Sequence, residues 1–221
     1  MNLAVITDNY YYCNGLKKCR EIKRSSYIDP EMLIDQYEGL TYIVTSTVIL
    51  IKIKDYKVLL AVIDFINDFP ELIIFIECTD VTFETTDSVL KAGKFFLIIK
   101  KMPISHLAQA FKKYVCEGEE PVKLPFNNIK STEWNILTDI IKHGTAKDLA
   151  RFDNVSQKQI STQKQNLSSK LRVYGSNIAT KIQVMSLLYT LHKLSMLDTY
   201  RDRVIPLKMK SHYSRLKKNK K

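Results

Sequence analysis

The sequence predicts two domains of different class: an N-terminal α/β domain, a parallel sheet with flanking helices, and a C-terminal all-α domain of four helices. Three observations carry this. In residues 1–118, short apolar runs alternate with amphipathic segments, as strands covered on both faces by helices require. Charge is divided unevenly: 14 basic face 15 acidic residues in 1–118 and 20 face 8 in 119–221, net −1 and +12 within a chain of +11. Two closely spaced capping signatures, Thr145 with Asp148 and Ser156 with Gln159, start two short helices joined by a polar turn at Asp153-Asn154. A basic half beside a near-neutral one is the electrostatic footprint of a polyanion-binding module.

Taken in order, Leu3-Ala4-Val5-Ile6-Thr7 is an apolar run stopped by Asp8, the pattern of a buried strand and its turn. Residues 9–22 are expected to be helical, with Leu16, Cys19 and Ile22 inward. Residues 23–40 read as polar and irregular, with Pro30 opening a short helix that ends near Gly39. Residues 41–53 are rich in β-branched side chains and predict strand for part of their length. Over 56–69, Val58, Leu59, Val62, Ile63 and Ile66 recur at helical spacing behind the cap Asp55. Residues 72–76 predict a strand, 82–91 a weak helix, 95–99 another strand, and 105–115 an amphipathic helix with Leu107, Ala108, Phe111 and Val115 inward. Gly118, Pro121 and Pro125 give 117–128 linker composition. The expected divisions are a regulatory or dimerisation domain over 1–118, a linker over 119–128, a polyanion-binding domain over 129–197 and a basic tail over 198–221.

In the second half, Trp134, Ile136, Leu137, Ile140 and Ile141 predict a supporting helix stopped by His143-Gly144. A helix over 146–152 follows, carrying Leu149, Ala150 and Phe152. Ser156 and Gln159 then cap a helix over 157–171 whose Ile160, Leu167 and Leu171 face the core. Lys158, Ser161, Thr162, Lys164 and Gln165 are left on other faces, and the helix carries no acid. Amides and hydroxyls can read base edges while lysines contact phosphates, so this surface suits the DNA major groove. Two short helices joined by a polar turn, the second basic outside, make a helix-turn-helix reading. Ile178, Ile182, Met185, Leu188, Leu191 and Met196 form an apolar stripe for a fourth helix, suited either to core packing or to a dimer seam. The tail ends Arg215-Leu216-Lys217-Lys218-Asn219-Lys220-Lys221, which fits both solvated disorder and nonspecific phosphate contact.

Residues 129–173 resemble, without a gap, the LuxR/FixJ-type DNA-binding domain of bacterial transcription regulators. Glu133, Ile136-Leu137, Lys147-Asp148-Leu149-Ala150, Val155-Ser156, Ile160, Asn166-Leu167, Lys170-Leu171 and Val173 stand where that pattern expects similar residues. The Thr-Val-Lys-x-His run usual in its recognition helix is here Gln159-Ile160-Ser161-Thr162-Gln163. The resemblance implies base-edge contacts at Ser161, Thr162 and Gln165; the helix-turn-helix context gives Lys158, Lys164 and Lys170 phosphate contacts, and with Gln159 these residues make up the expected DNA-binding surface. The resemblance also implies double-stranded DNA as partner, a homodimer or a heterodimer with another LuxR-type regulator, and RNA polymerase as a further partner.

The N-terminal order of elements is similar to a receiver domain. Lys101-Met102-Pro103 follows the last strand where receivers place a Lys-Pro step, Asp8 ends the first strand, and Thr79 stands at their hydroxyl position. A working receiver needs an acceptor carboxylate after its third strand and an acid pair after the first. Here the third strand runs Val48-Ile49-Leu50-Ile51-Lys52-Ile53-Lys54, so the domain is expected to be a pseudo-receiver that works without phosphorylation.

Enzyme readings lack their motifs: no Gly-rich phosphate loop, G-x-S-x-G, HExxH or nucleophile context is present. Cys13, Cys19, Cys78 and Cys116 form no CxxC pair and the four histidines are scattered, so no metal or other cofactor is expected. No signal peptide and no membrane span of about 18 apolar residues are seen, which gives a cytoplasmic, nucleoid-associated expectation. The function expected is a sequence-specific transcription regulator. The alternatives are a conventional phosphorylated response regulator and a coregulator that binds DNA only with a partner.

Overall fold

A computed structural model of the chain describes residues 1–69, 72–124, 126–143, 156–175 and 177–201. Its first strand, β1 (Asn2–Thr7), is buried along almost its whole length because neighbours cover both its edges and its faces. β1 pairs in parallel with β2 (Arg24–Ile28) on one side and β3 (Val48–Lys52) on the other, and β4 (Ile73–Glu77) and β7 (Phe95–Ile98) continue the parallel sheet. Two further strands extend it: β6 (Val89–Ala92), antiparallel to β7, and β8 (Val122–Lys123), parallel to β6. The order is β2-β1-β3-β4-β7-β6-β8, a receiver-like parallel α/β sheet with an added edge.

Helices cover both faces. α1 (Tyr10–Leu16) and α5 (Ile104–Phe111), which ends in a π-helical turn over Lys112–Cys116, lie on one side. Their Cys13, Leu16, Leu107 and Phe111 pack on Leu3, Val5, Leu50 and Phe75. The other face carries α2 (Pro30–Gln36), α3 (Leu40–Thr45) and α4 (Tyr56–Asn67). Asp55 caps α4, its Oδ1 accepting from the amides of Lys57 at 2.7 Å and Val58 at 3.3 Å.

Several expectations are corrected. Residues 24–28 form a strand where irregular chain was expected, since an edge strand covered on few sides needs little apolar content. The strand expected for part of 41–53 is β3, while at Leu40–Thr45 propensity yields to a short helix that docks Ile43 into the core. The weak helix over 82–91 is instead the two-residue strand β5 (Thr82–Phe83) and β6, the latter turning back into β7 through Gly93 at φ +63°. Within 119–128, β8 adds to the sheet and Leu124 and Phe126 are buried.

In the second half the structure describes α6 (Ser131–His143), α7 (Gln157–Lys170), β9 (Val173–Tyr174) and α8 (Ile178–Arg201). The expected helix over 146–152, its Asp153-Asn154 turn and the tail from 202 lie outside the described residues. The stripe on α8 is core: Met185 is 2% exposed, Leu188 and Leu191 are fully buried, and the helix lies against α4, α6 and β6. The choice between core packing and a dimer seam thus falls to core packing for these side chains, whereas Ile178 and Met196 of the same helix are exposed. No described helix is long and apolar enough to cross a membrane.

Candidate nucleic-acid interface

α7 begins at a complete capping box. The amide of Gln159 donates to Ser156 Oγ at 3.2 Å, and Gln159 Oε1 accepts from the Ser156 amide at 3.0 Å, which satisfies two otherwise orphan donors. Ile160 and Leu167 are 2% exposed and Leu171 is fully buried, so one stripe of the helix is anchored in the core. Because the helical repeat is 3.6, the opposite stripe then carries Lys158, Ser161, Thr162 and Gln165, and all four are exposed, as is Gln159.

Two of the candidate lysines differ from a freely solvated cation. Lys164 stands four residues after Ile160 and three before Leu167, on the flank of the buried stripe. It is half-buried, and loss of hydration pulls its ammonium below the usual lysine range. Lys170 donates to both carboxylate oxygens of Glu133, at 2.6 and 2.8 Å, and so ties α7 to α6. That hydrogen bond, ahead of the smaller contribution of the Lys130 amide, holds the Glu133 carboxyl below its ordinary value despite partial burial. Thr162 Oγ1 donates to the carbonyl of Lys158 at 2.9 Å, leaving its methyl and lone pairs outward.

The helices α6 and α8 meet in an aromatic cluster. Trp134 of α6 stacks on His192 of α8 with ring centres 5.1 Å apart and an interplanar angle of 20°, and Tyr189 and Phe126 close the cluster. Burial in it pushes the His192 imidazole below its ordinary pKa. At its far end α7 stops where Arg172 takes a left-handed φ of 56°, and Ser168 Oγ donates to the carbonyl of Val173. β9 follows at once and pairs antiparallel with β5.

At the carboxyl ends of the sheet strands the sequence had pointed to Asp8, Lys52, Asp55 and Thr79. Thr7 is buried, and the exposed Asp8 accepts from the Lys54 amide at 3.3 Å. Lys52, in register with Thr7, sends its ammonium 2.6 Å to Glu77 Oε1 and lies 4.0 Å above the ring of Tyr12. The Tyr12 hydroxyl donates to Glu77 Oε2 at 2.7 Å, and burial, ahead of the Glu77 charge, raises its pKa well above the usual phenol range. Sequence reasoning missed Tyr12 and Glu77. The legible signal was Glu77 itself, a lone acid closing the apolar run 72–76. Among the described residues no three His, Cys, Asp or Glu side chains converge on one point, and a cation-binding pocket does not fit a place already filled by an ammonium group.

No protein-family model matches the chain, and no curated protein matches its sequence. Among solved structures it is similar to chains of two-component response regulators. One is RcsB in a complex with DNA, at 17% identity over 84% of this chain and 98% of that one, TM-score 0.48. Another is RcsB from Salmonella enterica serovar Typhimurium bound to promoter rprA with the phosphomimetic BeF3-, at 16% identity over 86% and 100%, TM-score 0.49. A third is the response regulator ChrA of a heme-sensing system, at 14% identity over 85% and 98%, TM-score 0.28. Similarity at this level transfers no activity, so function rests on the residues above.

Proposed function

We propose that this chain is a sequence-specific, DNA-binding transcription regulator of bacterial type that reads the major groove with helix 157–171. The observation that carries the proposal is the outer stripe of α7: Lys158, Ser161, Thr162 and Gln165 are all exposed, behind a complete N-terminal cap, on a helix without an acidic residue. Gln165 offers the paired donor and acceptor that match adenine, while Ser161 and Thr162 offer hydroxyls and a methyl for less discriminating contacts. Gln159 adds its amide at the helix start. Lys158 and Lys164 supply phosphate contacts, and Lys170 shares its ammonium between Glu133 and an approaching phosphate. The net +12 of residues 119–221 raises local affinity for the duplex.

The C-terminal half is read as a four-helix, LuxR-type domain, and the N-terminal half as a pseudo-receiver. The Lys52–Glu77–Tyr12 group supports the second reading, because it puts a paired cation where phosphoryl transfer would need a free carboxylate. The regulator works as a dimer, without an enzymatic step and without a cofactor. Two-fold proteins of this kind read half-sites about one helical turn apart.

The test is fluorescence anisotropy of the full chain with a labelled mixed-sequence duplex over a salt series, followed by competition with duplexes selected from a random pool. Affinity is expected to fall steeply with salt, and selected duplexes to compete better than scrambled ones. Absence of binding at every salt concentration would sink the proposal and favour a coregulator that works through protein contacts.

A further inference from the structure

We infer that the N-terminal α/β unit is a fixed mount for the reading helix, with Val173, Tyr174 and Gly93 as its positioning residues; this rests on α7 being the DNA-reading element. The attachment begins at the C-terminus of α7. After the left-handed Arg172, β9 pairs with β5 in the register Thr82↔Tyr174 and Phe83↔Val173, so the chain leaving α7 is hydrogen-bonded to the loop that follows β4. The Glu84 amide donates to the Arg172 carbonyl at 3.1 Å, and the Tyr174 hydroxyl donates to Glu84 Oε2 at 3.0 Å. Phe83 is 5% exposed and Val173 fully buried, so this small sheet is sealed on its apolar side.

A second attachment lies farther along. A Cβ placed on Gly93 would stand 1.6 Å from Ser195 Oγ, so the β6–β7 turn and α8 touch with no room for a side chain. Between the two attachments the apolar core is continuous, running from Leu90 and Ala92 of β6 to Leu171, Val173, Leu187 and Leu191. A packed core of this kind holds discrete arrangements and does not deform smoothly.

What the attachment leaves uncovered decides its role. It engages the chain at the C-terminal end of α7, where Leu171 and Val173 belong to the shared core, whereas Lys158, Gln159, Ser161, Thr162 and Gln165 remain exposed. A cover that had to be released before DNA could bind would lie over those residues. This contact lies behind them, fixes the pitch of the helix, and so lets a change in the N-terminal unit act on reading only by moving α7 as a body.

Two measurements on the full chain test this. First, 15N relaxation should give residues on the sheet and residues on α7 and α8 one common rotational correlation time; two distinct times would overturn the mount whatever the chain binds. Second, Thr82→Cys with Tyr174→Cys, in a Cys116→Ser background, places two thiols opposite each other in the β5–β9 register. With a duplex that the wild type selects from a random pool, the oxidised and reduced forms should bind within about twofold, because a lock on a state already populated shifts nothing. Loss of about tenfold or more on oxidation, restored by dithiothreitol, would show a releasable cover and refute the inference. Failure of the wild type to bind any duplex would instead remove the DNA reading, while the correlation times would still decide the mount.

Discussion

Replacing Met185 by aspartate separates the two uses that a stripe on the last helix can have. Met185 is 2% exposed and sits in the same core as Leu187 and Leu188, on a helix that lies against α4, α6 and β6. Truncating a buried methionine costs about 2–5 kcal/mol. An unpaired carboxylate in the same place adds several more, or takes up a proton and still leaves an unsatisfied group. A loss of about 5 kcal/mol or more is a large part of the roughly 5–15 kcal/mol that holds a domain folded. At about 2–4 °C per kcal/mol for a chain of this size, Met185→Asp should lower Tm by at least 10 °C or prevent folding. Met185→Leu, which nearly conserves volume, should cost less than about 1.5 kcal/mol. Thermal melts by circular dichroism, with sedimentation of the same samples, decide the matter. If Met185→Asp melted like the wild type and merely ran as a monomer, the stripe would be a dimer seam and the packing of α8 on the N-terminal half would be refuted.

Phosphorylation and pH give further outcomes. Incubation with acetyl phosphate should leave no stoichiometric aspartyl phosphate by mass spectrometry, and Asp8→Asn and Asp55→Asn should leave DNA binding unchanged, since Asp55 serves as a cap that asparagine replaces well; a full phosphoryl adduct would overturn the pseudo-receiver reading. The Glu133 carboxyl is held below its ordinary value by Lys170, so its contribution is complete above about pH 4.5 and is lost as pH falls through its depressed folded value. The Tm gap between wild type and Glu133→Gln, open at pH 7, should therefore narrow as pH falls below the ordinary glutamate range, and a gap that stayed unchanged through the whole acid limb would detach Glu133 from this pairing.

The strands β1, β3, β4 and β7 were legible because burial on both faces leaves an unbroken apolar run, and α4 and α7 because each has a side-chain cap and a periodic stripe. β2 was hidden: Arg24-Ser25-Ser26 has no apolar signature, and its parallel pairing to β1 is a long-range fact. β6 was misjudged because four residues are too few to show a period, although Gly93-Lys94 before Phe95 marked the turn. Gly118, Pro121 and Pro125 drew attention away from Leu124 and Phe126, which anchor that stretch in the core. At the interface, the spacing of Ile160, Leu167 and Leu171 foretold which stripe of α7 is buried, and hence that Lys158, Ser161, Thr162 and Gln165 are exposed. It could not foretell that Glu133 holds Lys170 or that β5 catches β9, since both depend on partners about 40 and 90 residues away.

Reading, as distinct from attraction, is tested most directly by comparing Gln165→Ala and Lys164→Ala on selected and scrambled duplexes over several salt concentrations. Gln165→Ala removes a two-point base contact and no charge, so it should cost about 1–3 kcal/mol on the selected duplex and little on the scrambled one. Lys164→Ala should weaken both alike and flatten the salt slope by about one unit. Equal losses on both duplexes for Gln165→Ala, with no salt-slope change for Lys164→Ala, would contradict the assignment of α7 as the reading helix.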